Sequence, residues 1–425
     1  MLKKSILLNS SVTFLILILN FLFKIYLARE FSQTNLVIYY TITDIFSIIG
    51  RIFVGYKDAL TTIYNQTKYK FKIMRTWTVF FIWVMLISSL VIIPMTFNLY
   101  LVEKIENLQI QWWHLSLLFI SMNLVAFYRY IFLVTKHYKL ISINDILKSI
   151  ASISMILFLY SVLDMNADYQ TLIYSAIYSN FLLLGYLIYK QKTFLSKYSI
   201  NKLVGLRFAE FKDDTNRKFI KLTVIASSNY FIYGLLLFAP VFTMLNYGTI
   251  DELADFQVVA RSIYFALVSV FSWPLGRFMF PEFSSLIGKK DYKTLNNLRI
   301  KFIKLLAIFG IVIILGCWLL SELVIGYVFP IEYIDSYKML NILILSLPFV
   351  MYQNFSESII KAMGNYKINF IIKLSGILLF IISYIIMSTF KIELSSIYSF
   401  VIGMLSIFLI SLYFEINIKK GWNIL

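Results

Sequence analysis

The stretch TITDIFSIIGRIFVGY, Thr41–Tyr56, reads as a helix made for an apolar medium, yet it carries Asp44 and Arg51. A charge at the centre of a membrane helix costs about 2.5–3.5 kcal/mol on insertion scales, so both need something polar to face. Asp44, Ser47, Arg51 and Gly55 recur at i, i+3, i+7 and i+11, which is one helical face. Two helical turns, about 10 Å at 1.5 Å per residue, separate the two charges, so they are not expected to neutralise each other directly.

The whole chain matches that reading of the medium. Of 425 residues, 60% are hydrophobic and 14% charged, and the mean hydropathy is +0.78. Soluble domains run at about 45–50% apolar and about 25% charged, so this is a polytopic membrane protein. One cysteine, Cys317, leaves no intrachain disulfide and no cysteine metal site, and His114 and His137 alone form no zinc motif. His114, beside Trp112 and Trp113, reads as an interfacial residue. The basic head and apolar run of MLKKSILLNSSVTFLILILNFLFKIYLA lack a small-residue cleavage site and read as a retained first span.

A spanning helix needs about 20 mostly apolar residues. Twelve segments qualify: Ser5–Leu27, Leu36–Tyr56, Thr76–Phe97, Trp112–Val134, Leu140–Leu163, Tyr169–Tyr189, Phe219–Leu245, Leu253–Phe280, Phe302–Leu320, Met339–Ile359, Ile368–Ser388 and Leu394–Ile416. Sorting Lys and Arg by alternate loops places 29 on the side of the N-terminus, 4 on the other side and 6 within spans. The positive-inside rule then puts both termini in the cytoplasm. It also explains the net charge of +17 as a topology signal, where a soluble protein would suggest nucleic-acid binding. The longest loop, residues 191–218, divides the chain into an N-terminal six-helix lobe, 1–190, and a C-terminal one, 219–425. Within it, NKLVGLRFAEF reads as a short amphipathic helix lying in the interface.

Other spans carry polar stripes too: Asn9, Thr13, Asn20 and Lys24 in the first; Asp145, Lys148, Ser149 and Ser152 in the fifth; Gln257, Arg261 and Tyr264 in the eighth; Gln353, Glu357 and Lys361 in the tenth. Spans three, six, nine and twelve carry no comparable charged stripe. Two readings stand. In one, Asp44–Arg51, Asp145–Lys148 and Glu357–Lys361 pair to fix helix packing, while Arg129, Arg277, Lys361, Lys373 and Lys24 snorkel from span ends. In the other, the stripes line a shared aqueous cavity, the usual meaning of charges within a membrane. The bases Lys24, Arg51, Arg129, Lys148, Arg261 and Arg277, set against the acids Asp44, Asp145 and Glu357, point that cavity towards an anion. Pro240, Pro274 and Pro348 fall within spans seven, eight and ten as candidate kinks.

Three stretches carry a family resemblance: GTIDELADFQVVARSI (Gly248–Ile263) followed by PEFSSLIGKKDYKTL (Pro281–Leu295); VIGYVFPIEYIDSYKMLNILILSLPF (Val324–Phe349); and KAMGNYKINFIIKLSGILLFIISYIIM (Lys361–Met387). In order and spacing they resemble the polysaccharide-transporter branch of the multidrug/oligosaccharidyl-lipid/polysaccharide (MOP) flippase superfamily, the Wzx-type O-antigen flippases. Pro330 stands where that family usually has glycine, and span seven begins without its common proline. The resemblance implies an all-α, MATE-like fold of two six-helix lobes around a central, often cationic, cavity. It further implies movement of an undecaprenyl-diphosphate-linked oligosaccharide between leaflets of a bacterial inner membrane for surface polysaccharide assembly, and contact with a polysaccharide polymerase. Arg261 is the motif-matched charge.

That cargo sets the expected roles. Arg51, Arg261, Lys24 and Lys148 are candidates for the diphosphate, since guanidinium and ammonium groups neutralise phosphate and arginine does so bidentately. Asn20, Ser47, Gln257, Tyr264 and Gln353 are candidates for lining the cavity and contacting sugar hydroxyls. Asp44, Asp145 and Glu357 are candidates for H⁺ or Na⁺ coupling. No cofactor is expected. A drug/cation antiporter or a lipid II flippase of the same fold are the alternatives. A membrane polymerase or glycosyltransferase fits less well, because the long loop is on the cytoplasmic side and no P-loop, metal-ligand cluster or nucleophile triad is present in the sequence.

Overall fold

The computed structural model describes residues 2–66, 69–97, 110–198, 203, 214–269, 283, 286–287, 289, 291–363 and 365–422. Everything regular among them is helical. In chain order the long helices are α1 (Leu2–Glu30), α2 (Gln33–Gln66), α3 (Lys70–Thr96), α4 (Trp112–Val134), α5 (Tyr138–Val162) and α6 (Tyr169–Phe194). The second half continues with α7 (Asp214–Tyr247), α8 (250–269), α9 (Tyr292–Val328), α10 (Ser336–Ala362), α11 (Tyr366–Thr389) and α12 (Ser395–Trp422). Ten helical segments among the described residues are long and apolar enough to cross a membrane. Arg277, Pro274 and the NKLVGLRFAEF segment lie outside the described residues, apart from Leu203.

Several helices outrun the spans expected from hydropathy. The α9 helix has 37 residues where the sequence predicts Phe302–Leu320. At 1.5 Å per residue it is about 55 Å long, well beyond a hydrocarbon core of about 30 Å. A helix needs apolar side chains only inside the lipid, so hydropathy marks the immersed part alone. The basic first turns of α9, with Arg299, Lys301 and Lys304, are therefore helix and not loop.

The prolines behave differently from one another. Pro240 lies inside the continuous α7. Pro348 lies at a helix start and not in a helix interior. A 3-10 turn, Ile344–Ser346, divides α10, and Pro348 sits in the first turn of the following piece, where its missing N–H has no helical partner to lose. Among the described residues, three helices contain a π-helical stretch: Ser88–Ile92 in α3, Phe158–Val162 in α5 and Asp255–Ala260 in α8.

The chain divides into two compact units, one of Glu30–Phe231 and one of Met1–Arg29 with Ile232–Leu425. Packing, not chain order, draws this line. The α1 helix belongs with the second half because Lys24 Nζ donates to Ser262 Oγ, Arg29 Nη2 donates to the Val328 carbonyl at 3.0 Å, and Phe21 meets Phe329 edge-on at 5.9 Å. The N-terminal part of α7 belongs with the first unit. There Ser227 Oγ donates to the Ile52 carbonyl at 2.9 Å, Tyr230 donates to Asp58, and Thr76 Oγ1 donates to Asn216 Oδ1 at 3.2 Å. Gly55 makes the first of these possible, since a Cβ there would lie 2.3 Å from the Ser227 nitrogen.

Candidate functional site

Within the unit Glu30–Phe231, α2 supplies Asp44, Ser47 and Arg51, α4 supplies Arg129, and α5 supplies Asp145 and Lys148. Asp44 and Arg51 are both half-buried and both engaged with other groups. Ser47 is exposed and its hydroxyl donates back to the Thr43 carbonyl at 2.8 Å, so α2 itself satisfies it. The sequence suggests Asp145–Lys148 as a pair. Instead Arg129 Nη2 reaches Asp145 Oδ2 at 2.9 Å from the neighbouring helix, and Lys148 is exposed. Arg129 is therefore held in an ion pair, not free to snorkel. His114 follows the exposed Trp112 and Trp113, with its Nε2 3.2 Å from the Tyr174 hydroxyl.

The other unit holds the remaining candidates. Asn20 is exposed on α1, and Lys24, one turn on, is half-buried against Ser262 of α8. That contact joins residues 238 apart in sequence and brings one cation of α1 to the residue directly after Arg261. Arg261 itself is buried, with its guanidinium carbon 5.7 Å from the centre of the Phe256 ring. The π-helical stretch Asp255–Ala260 immediately precedes it and offsets the register of α8 at this point.

Three expected cavity residues are placed in the core. Gln257 is fully buried, Tyr264 shares a 2.7 Å hydrogen bond with Ser346, and Gln353 Oε1 accepts from Ser411 at 2.6 Å. A polar residue in an apolar span has two ways to be satisfied, water or a neighbouring helix, and helix periodicity cannot separate them.

Glu357 is likewise committed. Lys361 on its own helix and Lys373 on α11 both reach Glu357 Oε1, each at 2.9 Å. Lys373 is 1% exposed, with Nζ 5.1 Å from the centre of the Tyr233 ring. Neither lysine snorkels. A long side chain near a span end can equally turn inward when a carboxylate waits on the next helix.

The sequence also missed one buried ionic group. Arg299 of α9 forms a 2.6 Å ion pair with Glu415 of α12, and Tyr352 of α10 donates to the same Glu415 oxygen at 2.8 Å. Glu415 thus brings one acid of span twelve into the core, where it meets a base from the end of α9 outside span nine. The group's signal was Glu415, a lone acid inside an apolar run, but its base lies beyond the apolar part of α9.

No protein-family model matches the chain, and no curated protein matches it significantly. Solved structures do. An inward-facing multidrug resistance MATE family transporter of the MOP superfamily superposes with a TM-score of 0.74 over 97% of this chain and 98% of its own, at 12% identity. A MATE transporter from Vibrio cholerae gives 0.71 over 99% and 97%, at 13% identity. The chain has the MATE fold. A third MATE-fold neighbour, a MOP superfamily transporter from Pyrococcus furiosus, gives 0.72 over 98% and 96% at 12% identity, and a reverse polarity of its binding pocket is taken to suggest a different function. The fold is shared far beyond recognisable sequence, as a helical membrane architecture fixed by apolar length and small-residue contacts allows.

Proposed function

We propose that this protein is a flippase that moves a polyprenyl-diphosphate-linked oligosaccharide from the cytoplasmic to the periplasmic leaflet by alternating access, for surface polysaccharide assembly. The observation that carries this reading is the docking of Lys24 on Ser262, which ties a base of α1 to the residue directly after the buried Arg261, at the π-helical break of α8. Bases held within one membrane helix unit suit a diphosphate, whose charge cannot enter hydrocarbon unaccompanied. Arg51 and Lys148 are further proposed diphosphate contacts, and Asn20 and Ser47 are proposed for sugar hydroxyls. Asp44 is the proposed coupling residue for H⁺ or Na⁺. The protein would sit in the bacterial inner membrane with both termini cytoplasmic, within reach of a polysaccharide polymerase.

The MATE fold also supports a second reading, a drug/cation antiporter. It asks for acids free to meet a cation, whereas Asp145 and Glu357 each already hold a base. Lipid II is a third cargo with the same diphosphate chemistry.

The test is the double variant Arg51→Ala/Arg261→Ala in a strain that depends on this transporter for its surface glycan. Loss of glycan at normal protein level is the expected result. Full surface glycan would refute the assignment of these arginines, and efflux of cationic dyes by the unaltered protein would favour the antiporter.

A further inference from the structure

The two ion pairs described above occupy the same place in two copies of one helical hairpin. Arg129 stands five residues before the end of α4 at Val134, and Glu357 stands five before the end of α10 at Ala362. Asp145 stands seven residues into α5 from Tyr138, and Lys373 seven into α11 from Tyr366. Both pairs join residues 16 apart at 2.9 Å.

The connecting turns agree as closely. Thr135 and Met363, which close α4 and α10, have φ/ψ of −84°/5° and −80°/−5°. His137 and Asn365, which open α5 and α11, have −82°/58° and −87°/56°. The His137 N–H reaches back to the Phe132 carbonyl at 2.8 Å, and the Asn365 N–H to the Ile360 carbonyl at 3.1 Å, five residues back in each case. Both second helices begin Tyr-Lys, at 138–139 and 366–367. Lys136 has φ of 64°, in the left-handed region, and Gly364 is its counterpart in sequence.

The polarity of the two pairs is opposite. In α4–α5 the base is on the first helix and the acid on the second; in α10–α11 the order is reversed. Each acid also has a second lysine one turn later on its own helix, Lys148 after Asp145 and Lys361 after Glu357. A proton- or ion-carrying carboxylate must keep its place along a transport path. A clamp needs only opposite charges on facing helices, and either helix can carry either sign. Opposite polarity at equivalent positions is the pattern of a clamp.

We propose that Asp145 and Glu357 are positioning residues, each closing one of two equivalent αα-hairpins through a single interhelical ion pair, and that neither carries the coupling ion. The inference concerns the fold and holds whatever the cargo.

The test compares melting temperatures of the purified full-length protein in detergent, and transport in cells. Removing the acid leaves Lys373 buried, and Arg129 half-buried, without a carboxylate, so Asp145→Asn and Glu357→Gln should each lower the melting temperature by on the order of 5 °C, the second by more. The polarity swaps Arg129→Asp/Asp145→Arg and Glu357→Lys/Lys373→Glu should recover most of that loss and support transport. The apolar pair Arg129→Met/Asp145→Leu, which needs no charge reversal to fold, should be at least as stable as Asp145→Asn and also transport. Unchanged melting in both single variants would overturn the proposal. So would a swap or an apolar pair that regains its stability yet does not transport, because that result assigns the carboxylate itself to coupling. Failure of the Arg51/Arg261 glycan test would leave these outcomes untouched.

Discussion

Gly55→Ala is the sharpest single perturbation of this fold. The added Cβ would lie 2.3 Å from the Ser227 nitrogen, 2.4 Å from its Cα and 2.6 Å from its Oγ. Ordinary contact between heavy atoms needs about 3.5–4.0 Å, so α2 and α7 would have to part by more than an ångström. The obstacle is backbone, which cannot rotate away. Overpacking of this kind costs about 1–3 kcal/mol, and loss of the Ser227–Ile52 hydrogen bond adds about 0.5–1.5 kcal/mol. Helix propensity favours alanine and returns up to about 1 kcal/mol. The net loss, roughly 1–3 kcal/mol, corresponds to a fall of about 3–10 °C in melting temperature for a unit of this size. Gly50→Ala, on the same helix with nothing within 4 Å of its added Cβ, is the control and should be neutral or stabilising. Melting of the two variants in one detergent decides the matter. Equal stability of Gly55→Ala and Gly50→Ala would refute the argument that backbone contact sets the α2–α7 spacing.

Further outcomes follow from other contacts. Tyr352→Phe removes a buried hydrogen bond to a carboxylate and should cost about 1.5–3 kcal/mol in unfolding assays, with the Arg299–Glu415 pair still formed. Arg299→Ala strips Glu415 of its base and should be more damaging than Tyr352→Phe, measured the same way. Gly403→Val should disrupt the α11–α12 contact, where an added Cβ already meets the Gly376 carbonyl at 2.8 Å; loss of monodisperse protein on size exclusion is the readout. Asp291 caps α9, and hydrogen bonds from the Thr294 hydroxyl and then its backbone N–H hold its carboxyl below the usual aspartate range. Its folded value lies below its unfolded one. The stability it adds is therefore present above the ordinary aspartate range and lost as pH falls through the lowered value, so the melting difference between the unaltered protein and Asp291→Ala should vanish in acid.

The amino-acid sequence by itself determined the medium, the helices and their rough order. Apolar length and lysine–arginine asymmetry are sums over many residues, and such sums survive error at single positions. It also marked Lys24 and Arg261 as charges needing a polar neighbour, and the 238-residue Lys24–Ser262 contact shows what Lys24 found. Only the tertiary structure decided which neighbour each charge took. Helical periodicity fixes a face but not what the face meets, so Asp145 turned to Arg129 on another helix, and Gln353 to Ser411 in the core. Hydropathy likewise stops at the lipid boundary, which hid Arg299 as the partner of Glu415. The membership of α1 in the unit formed by the second half rests on contacts at Phe329, Val328 and Ser262 that no local pattern announces. Local sequence sets what a segment can be, because its causes are local. The partner of a buried charge is chosen by whichever group the folded chain brings within about 3 Å, and that is a property of the whole packing.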